Sequence, residues 1–237
     1  NGATEAVNLL RDERSPTLGD IDARLAQSLS LLSRVTATQP ARREESLQHA
    51  KEAVGIMEHL ARLHPDPYRP DLAQMLNGLG VRQALLDQPA QALKTTQRAA
   101  EILEDLVVNG RADALRSDWS RLLDSLSFRQ LKLGDKQQAA KTQWKSVCVL
   151  RRADVDPRLL GKSYGNLSYV LAAIGRHRGA LLAASRYART LRIGARRSNS
   201  DRVEYGRACT MLSVRLANLD RHEEALRAAR RAVAALN

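Results

Sequence analysis

A unit of about 45 residues recurs five times along this chain of 237, and that recurrence restricts the fold more than any other feature. A small residue marks each copy: Ser46, Ala92, Ala139, Ala180 and Ala225, spaced by 46, 47, 41 and 45 residues. Seven residues after each marker stand Ala53, Ala99, Ser146, Tyr187 and Ala232, small in every copy but one. Seven residues is two helical turns, so both positions share a helix face. Twelve residues before the marker the chain has Gly80, Ser127, Ser168 and Ser213, each preceded by Leu; the first copy has Leu32-Ser33, shifted by one. Each unit therefore reads as a helix, a short turn and a second helix. Periods of this size signal solenoids, in which a helix hairpin buries its apolar face only against its neighbours.

Local chemistry agrees. The apolar mass is Leu and Ala, with only 3% aromatic residues, which suits close helix packing and not sheets. Asp20, Asp71, Asp156 and Asp201 stand where first helices should begin, and Asp is a strong N-cap. Pro70 and Pro157 sit at or beside a first turn, where a missing N–H costs little. Turns are expected at Thr38-Gln39-Pro40, Asp87-Gln88-Pro89, Gly134-Asp135, Gly175-Arg176 and Asp220-Arg221. Breaks between units are expected at His64-Pro65-Asp66-Pro67, Asn109-Gly110 and Ser198-Asn199-Ser200. Residues 1–14 read as the second helix of a truncated earlier unit, ended by Ser15-Pro16. The expected organisation is a leading helix over 1–18, then repeats at 19–66, 67–112, 113–154, 155–198 and 199–237, in one continuous array.

The Leu-small, turn, Ala…Ala pattern resembles the tetratricopeptide repeat (TPR) family over roughly residues 20–237. The resemblance implies an all-α, right-handed α-solenoid of about five helix-turn-helix repeats. The family period is about 34 residues, so this is a long-period variant, similar to the arrays of kinesin light chains and of signalling-NTPase sensors. Tyr187 departs from the small-residue pattern. The resemblance further implies that first helices line a concave groove for a protein or peptide. With the small residue after Leu counted as position eight, position two holds Gln74, Arg121, Lys162 and Arg207. Position five holds Asn77, Asp124, Gly165 and Thr210; position nine holds Val81, Phe128, Tyr169 and Val214. Asn77, Arg121, Phe128, Lys162, Tyr169 and Arg207 are the candidate peptide-binding residues. Basic side chains at one level and apolar ones at the next suit a peptide with carboxylates and an apolar anchor. The family's clamp for an acidic tail needs a basic residue at position five and Asn at position nine, and this chain has neither. The expected role is a non-catalytic scaffold or sensor module of a larger regulatory protein. The alternative is a structural or autoinhibitory array packed on an NTPase or effector domain of the same chain.

Charge points the same way. The net charge is +12. Residues 1–110 carry 12 Lys/Arg against 15 Asp/Glu, and residues 111–237 carry 26 against 11, so the excess lies wholly in the second half. An acidic protein or peptide partner is expected. Arg186, Arg189, Arg192, Arg196 and Arg197 form a second basic cluster, for which nucleic acid is the weaker expectation because stacking aromatics are sparse. Leu226, Ala229, Val233 and Leu236 make one apolar face of the last helix, from which a weak homodimer is expected. No apolar run of membrane-spanning length and no signal-peptide pattern is visible, so a cytoplasmic, membrane-free setting is expected. The missing initiator Met suggests a piece of a longer chain.

Catalytic and cofactor signatures fail on inspection. Gly161-Lys162-Ser163 copies the end of a phosphate-binding loop, but that loop needs a glycine where Asp156 stands, and a preceding strand. Asn166-Leu167-Ser168 is a glycosylation sequon lying on the Leu-small packing position. The five histidines and the cysteines Cys148 and Cys209 have no metal-ligand spacing, and a disulfide is not expected. No enzyme activity, cofactor or metal is expected.

Overall fold

A computed structural model describes residues 19–110, 113–151, 155–196 and 198–236. Among them are ten α-helices and no strand, arranged as five antiparallel hairpins. In the first unit, up to Leu115, they are α1 (Gly19–Thr36), α2 (Arg43–Leu63), α3 (Pro65–Leu85) and α4 (Pro89–Val108). In the second, from Arg116, they are α5 (Arg116–Lys132), α6 (Lys136–Arg151), α7 (Pro157–Ala173), α8 (His177–Leu191), α9 (Asn199–Ala217) and α10 (His222–Leu236). Within each unit every helix packs on the next, and first helices also touch: α1 on α3, α5 on α7, α7 on α9. The expected N-terminal helical segment lies outside the described residues.

The markers do what their recurrence implies. Ala92, Ala99, Ala139 and Ala180 are fully buried, and Ala225 and Ala232 are nearly so. Ser46, Ser127, Ser146 and Ser168 are equally hidden. Each hidden hydroxyl needs a partner. Ser127 donates to the Ala139 carbonyl at 2.8 Å, and Ser33 donates to the Ser46 carbonyl at 2.8 Å, so the position-eight serine ties its helix to the marker of the following one.

Four hairpin turns share one backbone conformation and hydrogen-bond pattern. Asp87, Gly134, Gly175 and Asp220 are left-handed, with φ of 55°, 85°, 78° and 57°. The next N–H in each case bonds back five residues: Gln88 to Gln83, Asp135 to Gln130, Arg176 to Leu171, Arg221 to Leu216. That is the Schellman closure of a helix C-terminus. The following marker N–H then bonds the carbonyl of the same residue, as Ala180 does to Arg176 at 2.9 Å, and so starts the second helix. Glycine and aspartate serve here because both tolerate the left-handed region. A Cβ on Gly175 would meet nothing within 4 Å, so Gly175→Ala tests the backbone alone. It is expected to lower stability in urea by about 1–2 kcal/mol.

Two expected boundaries are corrected. The break at His64–Pro67 is a single residue, His64, and α3 already runs from Pro65, which places Pro70 and Asp71 inside the helix. Pro65 and Pro67 fall among the first N–H groups, which lack intrahelical partners anyway, so the helix starts early. Asp201 does not cap α9: Ser198 does, its hydroxyl accepting from the Asp201 N–H at 3.1 Å. Asp156 is the cap expected for α7, accepting from the Arg158 N–H at 2.8 Å.

Candidate functional site

In the second unit the first helices α5, α7 and α9 present two parallel rows. Phe128, Tyr169 and Val214 occupy position nine and are 49%, 51% and 47% exposed. Large apolar side chains lined up in solvent mark contact surfaces more often than accidents. Lys132 holds its ammonium 5.3 Å from the Phe128 ring centre, a cation–π contact on a ring that stays half exposed.

Arg121, Lys162 and Arg207 occupy position two, all exposed. Two of the three are not free. Arg121 pairs with Asp118 one turn earlier, and Arg207 donates to Glu204 at 2.7 Å. The basic row is therefore locally less positive than the sequence count suggests. Lys162 has no carboxylate partner among the described residues. Surface pairs at this spacing contribute about 0–1 kcal/mol, so a ligand carboxylate can compete for either arginine.

Between the rows, one turn from each, lies Asp124. Its carboxylate accepts from Gln143 at 2.5 Å, from Ser146 at 2.6 Å and from Asn166 at 2.9 Å. The cluster continues to Ser120 and Ser163, whose hydroxyls lie 2.8 Å and 2.9 Å from Ser146. Among the described residues no cation reaches it, and burial pushes the Asp124 carboxyl above its ordinary value while the hydrogen bonds pull the other way. Although Asp124 keeps some accessible surface, its oxygens are committed to neutral donors. The sequence reading passed over this polar group. A signal was present, in Asp124 standing where neighbouring repeats have Asn77, Gly165 and Thr210.

The same surface explains Tyr187 and the phosphate-loop match. The Tyr187 ring lies on α7 across Gly161 and Gly165; a Cβ on Gly165 would sit 3.0 Å from Tyr187 Cε1, and one on Gly161 3.1 Å from Leu191 Cδ2. Two glycines one turn apart thus make room for a large residue where the other repeats use a small one. Gly161 and Ser163 are buried packing positions and not a phosphate cradle. Asn166 of the sequon is held by Asp124, with Leu167 and Ser168 buried beside it. The Tyr187 hydroxyl donates to Glu204 at 3.2 Å, and burial, helped by that carboxylate, pushes its pKa up to about 12.

The remaining candidates separate. Asn77 is in the first unit, half-buried, with its Oδ1 enclosed and unpartnered. Within the arginine cluster, Arg186 is engaged: it stacks 5.7 Å from the Tyr164 ring centre and donates to its hydroxyl at 3.3 Å. Arg189 and Arg192 are exposed, and Arg197 lies outside the described residues. Leu226 and Val233 are exposed along α10, whereas Leu236 also packs against Gly206. Among the described residues no group of His, Cys, Asp and Glu could hold a metal, and no helix is long and apolar enough to cross a membrane. Cys209 is buried and unbridged, its thiol pushed up by burial.

No family model matches the chain, and no curated protein does. Solved structures do. BtubC (BKLC) from P. vanneervenii superposes with a TM-score of 0.77 at 14% identity, over 99% of this chain and 88% of that one. A kinesin-light-chain-like protein of Podosopora anserina with nearly identical TPR-like repeats gives 0.68 at 16% identity, over 90% and 95%. This chain has a TPR-like repeat fold. A Rap protein complexed with competence and sporulation factor gives 0.60 at 11% identity; the match covers 96% of this chain but only 57% of that one. At these identities the TPR-like architecture is shared while side-chain surfaces have diverged, so what the surface binds must be read from its own residues.

Proposed function

We propose that the chain is a non-catalytic protein- or peptide-binding module, the sensor or scaffold part of a regulatory protein. Its contact surface would be the paired rows of the second unit. The single observation that carries this reading is the solvent-exposed line Phe128, Tyr169 and Val214 running beside Arg121, Lys162 and Arg207 on touching helices. Aromatic anchors dominate binding energy at most interfaces, while rim charges set encounter rate and selectivity. The ligand that fits is a peptide with one or more carboxylates beside an apolar anchor. A ligand-bound Rap structure among the fold relatives is compatible with this use of the fold.

The test is capture of a partner on the immobilised chain, followed by calorimetry with variants. Phe128→Ala with Tyr169→Ala is expected to weaken binding by at least tenfold, about 1.4 kcal/mol or more. Arg121→Glu, Lys162→Glu and Arg207→Glu together are expected to slow association and remove its salt dependence, with helicity unchanged. Unaltered affinity in both variants would exclude this surface. A second reading is that the array packs on another domain of its own polypeptide or on a second copy. The exposed Leu226 and Val233 of α10 favour it, since an apolar helix face at a repeat end suits another helix. An electrostatic nucleic-acid surface would use Arg189 and Arg192 and would show steep salt dependence.

A further inference from the structure

A buried arginine in the first unit has no counter-ion among the described residues. Arg82, on α3, is 7% exposed, and its Nε donates to the Ser33 hydroxyl on α1 at 3.0 Å. Ser33 is itself buried and passes its own proton to the Ser46 carbonyl. That accounts for one of the five guanidinium donors. The four N–H groups on Nη1 and Nη2 have no hydrogen-bond partner among the described residues, and no carboxylate pairs with them. The next residue after Ser33 is Arg34, exposed and likewise without a carboxylate among the described residues. Arg34 is also the charge that Arg82 feels, and burial and this like charge both weaken the hold of Arg82 on its proton.

Burying a cation beside a second cation is costly unless an anion completes the group. The second unit supplies a comparison. Arg215, at the same repeat position, donates its Nε to Ser168 at 3.1 Å, the equivalent serine of the preceding first helix. Reaching back to that serine is therefore a structural latch common to both units. Arg215, however, is only half-buried, and no neighbouring cation adds to the effect of burial on it. Of these two latches, that of Arg82 is the more buried and has a second arginine beside it.

We propose that Arg82 and Arg34 form an oxyanion site in the first unit, fitted to a single carboxylate or phosphate group. The Nη edge of Arg82 offers two N–H groups side by side, the geometry that takes two oxygens of one anion. Ser33 holds the guanidinium through its bond to Nε, and Arg34, the next residue along α1, supplies the second positive charge. The site is separate from the rows of the second unit and does not depend on their role.

Calorimetric titration of the full chain tests it with two probes, inorganic phosphate and an end-capped glutamate-rich peptide. The variants are Arg34→Gln, an exposed change that leaves packing intact, and Arg82→Lys, which keeps the charge and loses the fork. The parent chain is expected to bind at least one probe, and each variant to bind it about tenfold more weakly, as for one lost charge-assisted hydrogen bond. Binding of phosphate alone would assign a small free anion; binding of the peptide would assign a chain carboxylate. The charge-reversed second-unit variant is expected to bind as the parent does. The proposal fails if neither probe binds. It fails equally if Arg34→Gln binds as the parent does, or if the second-unit reversal abolishes binding while Arg34→Gln leaves it unchanged.

Discussion

Replacing Tyr187 with alanine is expected to cost about 3–5 kcal/mol, although alanine or serine stands at that position in every other repeat. The reason lies on the facing helix. The Tyr187 ring is 6% exposed and packs with Tyr164, Leu167, Ala188 and Leu191 in one apolar cluster. It fills the space that Gly161 and Gly165 leave open. Removing it creates a cavity that two glycines cannot close, and it also breaks the bond to Glu204. The decisive measurement is the coupled one. In the parent, Gly165→Ala drives a Cβ to 3.0 Å from the ring, and overpacking of this kind costs about 1–3 kcal/mol. In the Tyr187→Ala background the obstacle is gone, and the same change should gain about 0.5–1 kcal/mol from helix propensity. Urea melts followed by far-UV circular dichroism on the four proteins would read both signs. If Gly165→Ala destabilises both backgrounds equally, the glycines do not exist for the tyrosine.

This pair shows where sequence reading stops. The repeat, its turns and its buried small positions were legible because each depends on residues close in sequence or on a fixed period. Left-handed Gly134 and Gly175, and the markers Ala92 to Ala225, announce themselves this way. The exposed row Phe128, Tyr169 and Val214 was legible too, since position nine points away from the hairpin partner whatever residue fills it. Tyr187 was readable only as an exception, because the two glycines that admit it sit a whole helix away. The partial neutralisation of Arg121 and Arg207 was in principle visible, as Asp118 and Glu204 precede them by three residues, a spacing that puts opposite charges on one helix face. Arg82 on Ser33 was not, because 49 residues separate the partners and nothing local marks an arginine as buried.

The Asp124 cluster is the other long-range feature, and it predicts a pH dependence of definite sign. Burial raises the folded-state carboxyl above the ordinary aspartate value near 3.9, so the fold holds a proton that the unfolded chain releases. Below that ordinary value both states are protonated and the contribution of Asp124 is at its most favourable. As pH rises from there through the raised folded value, the unfolded state binds fewer protons and stability is progressively lost. Asp124→Asn removes this loss. The Asn166 amide, which is exposed, can turn to present its oxygen to the new amide, so the hydrogen bonds survive. The variant should therefore gain on the parent as pH rises above about 4, and the two should converge at lower pH. Asp124→Leu separates charge from bonding. It also removes the charge, but it leaves the buried amide of Gln143 without its short bond, at a cost of about 1–3 kcal/mol. The expected order at neutral pH is Asn at or above parent, and Leu well below both. A parent whose stability rises with pH across this window relative to Asp124→Asn would mean that the three donors outweigh burial, and that the cluster holds a carboxylate and not its acid.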